Sequence, residues 1–322
     1  MSFVKPGPRN GAFTLVHFSD LHLCRPAGAS PAGFLNKRLF SWLSWRVRRR
    51  RVLPPEVWPA LARAVKGCAA DLVAVTGDLT HLGLPAEFEL AARFLEQLAP
   101  PGRVMVVPGN HDALRAAEWA RGLSTWADFL RSGDPEGTVG FPALRVHGRV
   151  AVIGLSTACP SPPLLAIGRL GADQLEALDA LLKRAAERGL FRLVLIHHPP
   201  VARMVSPHKR LIDAAALRAV LAARGAELIL HGHAHRRTVA SVPGPGGPIP
   251  VLGISAAACA GTRPERRAAF RVLRIEEAGA GLRAAYRDQV FVPGEGRFEP
   301  EGGPEAAWIK TRARADARPS PE

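Results

Sequence analysis

The chain of 322 residues has only four cysteines, Cys24, Cys68, Cys159 and Cys259, widely spaced and without a Cys-x-x-Cys pair. That excludes a disulfide framework and a thiolate-held structural zinc, and it suits a reducing, cytosolic compartment. No apolar run reaches the roughly 18 residues of a membrane span, and the N-terminus lacks the basic-then-apolar pattern of a secretory signal. No internal repeat is evident. Acidic residues are scarce, 28 against 43 basic ones, and none stands between Leu21 and Pro55. Most of the basic residues are Arg, a skew that a GC-rich genome produces as readily as a polyanionic partner, so total charge alone says little about nucleic acid. A 47% hydrophobic content excludes global disorder.

What the chain does have is a set of short polar blocks, each following an apolar run of buried-strand length. Asp20-Leu-His22 follows residues 13–18, Gly77-Asp78 follows 71–75, and Gly109-Asn110-His111-Asp112 follows 103–107. His197-His198-Pro199 follows 191–196, and Gly232-His233-Ala234-His235 follows 227–230. Branched residues dominate these runs, as in strands covered on both faces. Open α/β sheets gather ligands beyond the carboxyl ends of their strands, so five distant blocks can meet at one crevice.

The groups delivered there are imidazoles, carboxylates and an amide. Without thiolate they suit divalent Mn, Fe, Co, Ni or Zn, and they are numerous enough for two ions. A carboxylate such as Asp78 is the natural shared ligand, because its two oxygens carry several lone pairs. Two ions, two carboxylates and a bridging hydroxide leave a residual positive charge that a phosphodiester monoanion neutralises. Paired ions of this kind stabilise both oxygens of an in-line displacement, so the implied reaction is phosphoester hydrolysis.

The ordered set D-x-H, GD, GNHD, HxP and GHxH resembles the calcineurin-like metallophosphoesterase family over roughly residues 13–260. The resemblance implies that Asp20, His22 and His235 bind one ion and Asn110, His197 and His233 the other, with Asp78 bridging. It further implies that His111 contacts the scissile phosphate and helps protonate the leaving oxygen, with Asp112 holding its ring. The implied fold is an α/β four-layer αββα sandwich of two facing mixed sheets flanked by helices. His198, one place beyond the ligand position, lines the pocket or packs behind it. His81, just after Gly77-Asp78-Leu-Thr, edges the cleft.

Residues 25–55 form a basic insertion with eight positive charges. Within it Leu35, Leu39, Trp42, Leu43 and Val47 share one helical face. Such a helix packs on the sheet and solvates its arginines, lies in an anionic membrane interface, or meets a phosphate-rich partner such as nucleic acid. Because the segment leaves the first strand end, Arg38, Trp42 and Trp45 are candidate substrate or membrane contacts. Among relatives, Asp20-Leu-His22-Leu followed by the insertion is similar to the bacterial enzymes cleaving UDP-2,3-diacylglucosamine, whose best-known branch has Arg at the place of His111. His111 matches branches retaining GNHD, which include the class III cyclic-nucleotide phosphodiesterases and the alternative lipid A pyrophosphatases.

The leading expectation is a dinuclear phosphoesterase acting on a phosphodiester or pyrophosphate, a lipid-linked nucleotide ranking slightly above a cyclic nucleotide. A nuclease and a non-catalytic metal-stabilised scaffold are further alternatives. The expected location is cytoplasmic, with peripheral contact on the inner face of a membrane. Helices are expected at about 56–67, 86–98, 172–188 and 212–223, and a hairpin at 143–155. Strands at 238–242, 249–255, 268–275 and 282–288 are expected in succession, antiparallel, completing the second sheet. Residues 1–295 read as one domain and 296–322 as a mobile tail.

Overall fold

Runs such as Leu193-Val-Leu-Ile196 are apolar on both sides of a strand, so each strand needs cover on both faces, and the protein supplies it with four layers. The computed structural model describes residues 11–24, 56–114, 116–133, 139–162, 164–259, 263–279, 281–302 and 307–309. The insertion, with Arg38, Trp42 and Trp45, lies outside the described residues.

In the first sheet β1 (Ala12–Phe18), β2 (Leu72–Val75) and β3 (Val104–Val106) run parallel, and β10 (Ala269–Ala278) pairs antiparallel with the other edge of β1. Beyond it come β11 (Gly281–Val292) and, on the free edge of β11, β12 (Arg297–Pro300) and β13 (Ala307–Ile309). The second sheet contains β4 (Ala143–His147), β5 (Val150–Gly154), β6 (Phe191–Ile196), β7 (Leu228–His231), β8 (Thr238–Val242) and β9 (Ile249–Gly253). Its order is β4-β5-β6-β7-β9-β8.

Side chains alternate between two cores along each strand. Leu15, Leu72 and Met105 meet Val152, Leu193, Leu195 and Leu230 between the sheets. Val16, Val73 and Val104 point the other way, onto helices α1 (Val57–Gly67) and α2 (Pro85–Leu98). Val194, Ile196 and Ile229 pack likewise on α5 (Ala172–Glu187) and α6 (Ala214–Arg224). Among the described residues no helix is long and apolar enough to cross a membrane.

Three expectations need correction. The strands from residue 238 onward do not all complete one sheet. β8 and β9 stay in the second sheet, with β9 parallel to β7, whereas β10 and β11 join the first beside β1. Alternation in β10 correctly marks Leu273 and Ile275 as core, but that core is shared by both sheets, so alternation cannot say which sheet a strand joins. Secondly, residues 297–300 and 307–309 were expected in a mobile tail and are strands. Phe298 anchors the first, with its ring 5.3 Å from those of Phe270 and Phe291. Thirdly, two helices were not expected, α3 (Ala116–Thr125) and α4 (Ala127–Leu130). Tertiary packing supports the short α4: fully buried Trp126 donates its indole N–H to the Phe88 carbonyl at 3.0 Å.

Candidate metal centre

The blocks after β1, β2, β3, β6 and β7 converge because glycines in three of them, Gly77, Gly109 and Gly232, allow close approach. A Cβ at Gly77 would stand 2.6 Å from the Gly109 nitrogen and 2.7 Å from His197 Nδ1. One at Gly109 would overlap Asp78 Oδ1, and one at Gly232 would overlap the Ser19 hydroxyl. The chain then turns sharply. Asp20, His22, Asp78, His233 and His235 have φ of 58°, 47°, 53°, 63° and 49°. Left-handed backbone at a non-glycine residue costs of order 1–3 kcal/mol and persists only where surrounding structure enforces it. Here it brings side chains from different loops to one point.

Asp20, His22, Asp78 and His235 offer ligand atoms all within 4.8 Å of one another. His22 Nε2 and His235 Nε2 are 3.1 Å apart, and Asp20 Oδ1 lies 3.1 Å from the latter and 3.8 Å from the former. Ligand atoms on one ion with bonds of about 2.1 Å stand roughly 3 Å apart. Asp20 Oδ2 accepts the His233 N–H at 3.0 Å, but buried Oδ1 has no properly aligned hydrogen bond among the described residues. A buried carboxylate oxygen without an aligned hydrogen bond, beside two imidazole nitrogens, fits a cation. Burial works to raise the Asp20 pKa, yet the facing His235 ring outweighs it and holds the carboxyl below its usual range.

Across Asp78 lies a second group. His197 donates Nδ1–H to the Thr76 carbonyl at 2.6 Å, which turns Nε2 toward Asn110 Oδ1 at 3.3 Å and Asp78 Oδ2 at 3.5 Å. His233 donates Nε2–H to the Lys209 carbonyl at 2.8 Å, which makes Nδ1 the ring nitrogen that could take an ion. These carbonyls select the tautomers, as partners behind metal-binding imidazoles commonly do. Burial alone would depress the His197 ring, but the Asp78 carboxylate beside it raises its pKa to about 9. Asp78 itself, although burial opposes it, is held well below the carboxylate range by the surrounding imidazoles, His197 foremost.

His198 belongs to the same cluster, but both its ring nitrogens are engaged. Nδ1 accepts the Thr157 hydroxyl at 2.7 Å and Nε2–H donates to the Ala166 carbonyl at 3.1 Å. Burial first, then the His197 ring, lowers its pKa to about 3. It is a neutral wall behind His233, with ring centroids 4.2 Å apart.

His111, partly buried, donates its backbone N–H to Asp78 Oδ1 at 2.7 Å and its Nδ1–H to the His81 carbonyl, also at 2.7 Å. The His81 and His111 rings stack with centroids 5.2 Å apart and planes at 18°. Asp112 does not hold the His111 ring, contrary to expectation. Its carboxylate accepts the N–H groups of Asp78, Thr80 and Gly109 and the Thr80 hydroxyl, at 2.9–3.0 Å. It ties the loop after β3 to the loop after β2, while its sequence neighbour points elsewhere. Burial, and then the charge of Asp78, push the Asp112 pKa to about 7.

The motifs also missed Thr76, Thr157, Lys209 and Glu87. The first three act through a carbonyl or a hydroxyl on unremarkable loops. Only Glu87 left a trace, standing three residues after Leu84 at the start of α2, the spacing of a helix-capping acid.

Two facing sheets bring histidine and aspartate clusters together at their strand ends, a donor set suited to divalent ions. The profile of the calcineurin-like phosphoesterases matches residues 13–237, and the chain belongs to that family of metal-dependent phosphoester hydrolases. It is 30% identical over 223 residues to a probable cyclic nucleotide phosphodiesterase of Synechococcus sp., covering 67% of this chain and 76% of that one. The fold is similar to a dimetal phosphatase from Danio rerio, with TM-score 0.50, 16% identity, and coverage of 92% of this chain and 98% of the other. A purple acid phosphatase from yellow lupin (Lupinus luteus) gives TM-score 0.52 at 13% identity, covering 89% of this chain and 55% of the lupin one.

Proposed function

We propose that this protein hydrolyses a nucleotide phosphodiester or pyrophosphate at a dinuclear centre in which Asp20, His22 and His235 hold one ion, Asn110, His197 and His233 hold the other, and Asp78 joins them. The observation that carries the reading is the pair of histidine groups flanking Asp78, one of them containing Asp20 Oδ1, which has no aligned hydrogen bond among the described residues. Two divalent ions bound there would polarise the phosphoryl oxygens and lower the pKa of bound water.

The chain's own groups supply the rest. With Nδ1–H committed to the His81 carbonyl, His111 has Nε2 for the mobile proton and gives it to the leaving oxygen. His198, neutral and hydrogen-bonded on both nitrogens, keeps the His233 ring in place and adds no charge.

For the substrate, the Synechococcus relative supports a cyclic nucleotide. The run of eight cations and two tryptophans at 25–55 supports a lipid-linked nucleotide such as UDP-2,3-diacylglucosamine, presented at an anionic membrane face. One assay separates these readings: turnover of cAMP, UDP-2,3-diacylglucosamine and an aryl phosphodiester by the full chain, after chelation and reloading with Mn, Fe, Co, Ni or Zn. Preference for the first or second substrate by at least tenfold in kcat/KM assigns the class. Absence of metal-dependent turnover on all three would overturn the catalytic reading.

A further inference from the structure

We propose that Glu87 is a positioning residue for His111 and acts through the peptide group joining His81 to Leu82. The inference rests on the reading of His111 as proton donor. Glu87 lies in the first turn of α2 and is fully buried. Its Oε2 accepts three backbone N–H groups, from Leu82 at 2.7 Å, His81 at 3.2 Å and Leu84 at 3.3 Å. A buried carboxylate oxygen with three donors is a strong anchor, because hydrogen bonds to charge are shorter and stronger than neutral ones.

The shortest of the three carries the argument. The Leu82 N–H and the His81 C=O belong to one planar peptide unit and point in opposite directions from it. Glu87 grips the N–H end at 2.7 Å, and His111 Nδ1–H is bonded to the C=O end at 2.7 Å. Fixing one end of a rigid plane fixes the direction of the other. The carbonyl in turn sets the tautomer and angle of the imidazole, which makes Nε2 the basic nitrogen of the ring. Carboxylate, peptide and imidazole thus form a line in which the negative charge also polarises the carbonyl that accepts the ring proton.

On its other side the same loop is held by Asp112, which accepts the N–H groups of Asp78 and Thr80. The labour is divided: Asp112 fixes the half of the loop carrying the candidate metal ligand, and Glu87 fixes the half bearing the carbonyl for His111. Gly83, between the Glu87 bonds, has φ of 61°, and a Cβ there would stand 3.2 Å from the His111 carbonyl oxygen.

The test is Glu87→Gln, alone and combined with His111→Ala, in the ion-loaded full chain. The side chain keeps its size but loses its charge. Expected are two bound ions as in the wild type, a fall in kcat of roughly tenfold at constant KM, and no further fall when the change is added to His111→Ala. The nitrogen-bound proton of His111 Nδ1, followed by imidazole NMR, should broaden or vanish in Glu87→Gln. If that resonance is unchanged, or if Glu87→Gln costs the same factor with and without His111, Glu87 does not act through His111. If the resonance is lost while His111→Ala leaves kcat intact, the positioning stands and the proton-donor reading falls. Glu87→Asp, which keeps the charge but withdraws it by one methylene, gives the same NMR readout should the Gln variant melt too early to assay.

Discussion

In the ion-free protein His197 should carry a proton on both ring nitrogens, and loading the centre should remove one. Nδ1–H is spent on the Thr76 carbonyl, and Nε2 faces Asn110 Oδ1 at 3.3 Å and Asp78 Oδ2 at 3.5 Å, both acceptors. A neutral ring would set three lone-pair atoms against one another in a buried site, so the ring keeps its second proton up to a pKa of about 9. An ion taking Nε2 must displace that proton. At pH 7.5 this costs about 2 kcal/mol, at roughly 1.4 kcal/mol per unit, which weakens apparent binding about 30-fold relative to high pH.

The sign for stability follows from a folded pKa raised above the unfolded value of 6.5. The contribution of His197 to ion-free stability is full below 6.5 and is lost as pH rises through about 9. Ion-free stability should therefore fall over that window while ion affinity climbs. Imidazole NMR of the chelated protein isolates this proton from any released by bound water: an Nε2–H signal present at pH 8 should vanish on adding zinc. A neutral His197 at pH 8 in the chelated protein would refute the reasoning and leave the facing acceptors without a physical explanation.

Two further outcomes are expected. Gly109→Ala should bring bound metal below two ions per chain by elemental analysis, because the new Cβ would lie 2.5 Å from the Asp78 nitrogen and 2.8 Å from His197 Cε1, and one of them must move; retention of both ions and full activity would show that the loops yield freely. His111→Ala should keep both ions and lose about 10²–10⁴ in turnover under single-turnover conditions, and unchanged turnover would remove His111 from the chemistry.

The five strands before the motifs were legible because strands covered on both faces are mostly apolar, and 13–18 and 191–196 are, with only Thr14, His17 and Arg192 interrupting them. The convergence of their C-terminal blocks was legible from the general behaviour of such sheets. The partner of Asp112 was not. The family resemblance implied a hold on the His111 ring, but consecutive residues on a tight loop diverge, and the carboxylate went to backbone donors of the loop after β2. Membership of β10 and β11 in the first sheet depends on where the chain crosses after β9, marked by the Ala257 N–H bonded to the Ser19 carbonyl at 2.9 Å. No periodicity encodes that crossing. Glu87 was passed over because its partners are amides, which every residue type but proline carries, so its capping spacing marked a helix start and not a link to His111.

The left-handed turns at Asp20, His22, Asp78, His233 and His235 limit how this centre can change over evolutionary time. In the proposed centre each position must supply a donor atom and a backbone with positive φ together. Aspartate, asparagine and histidine are the ligand types enriched in that region of conformational space. Glutamate and cysteine bind divalent ions well, yet the turn itself discriminates against them before any ion arrives. A lineage wishing to retune the metal is thereby steered away from these five places, toward the groups that orient the imidazoles from behind and toward positions such as His197 and Asn110, where the main chain imposes no such turn.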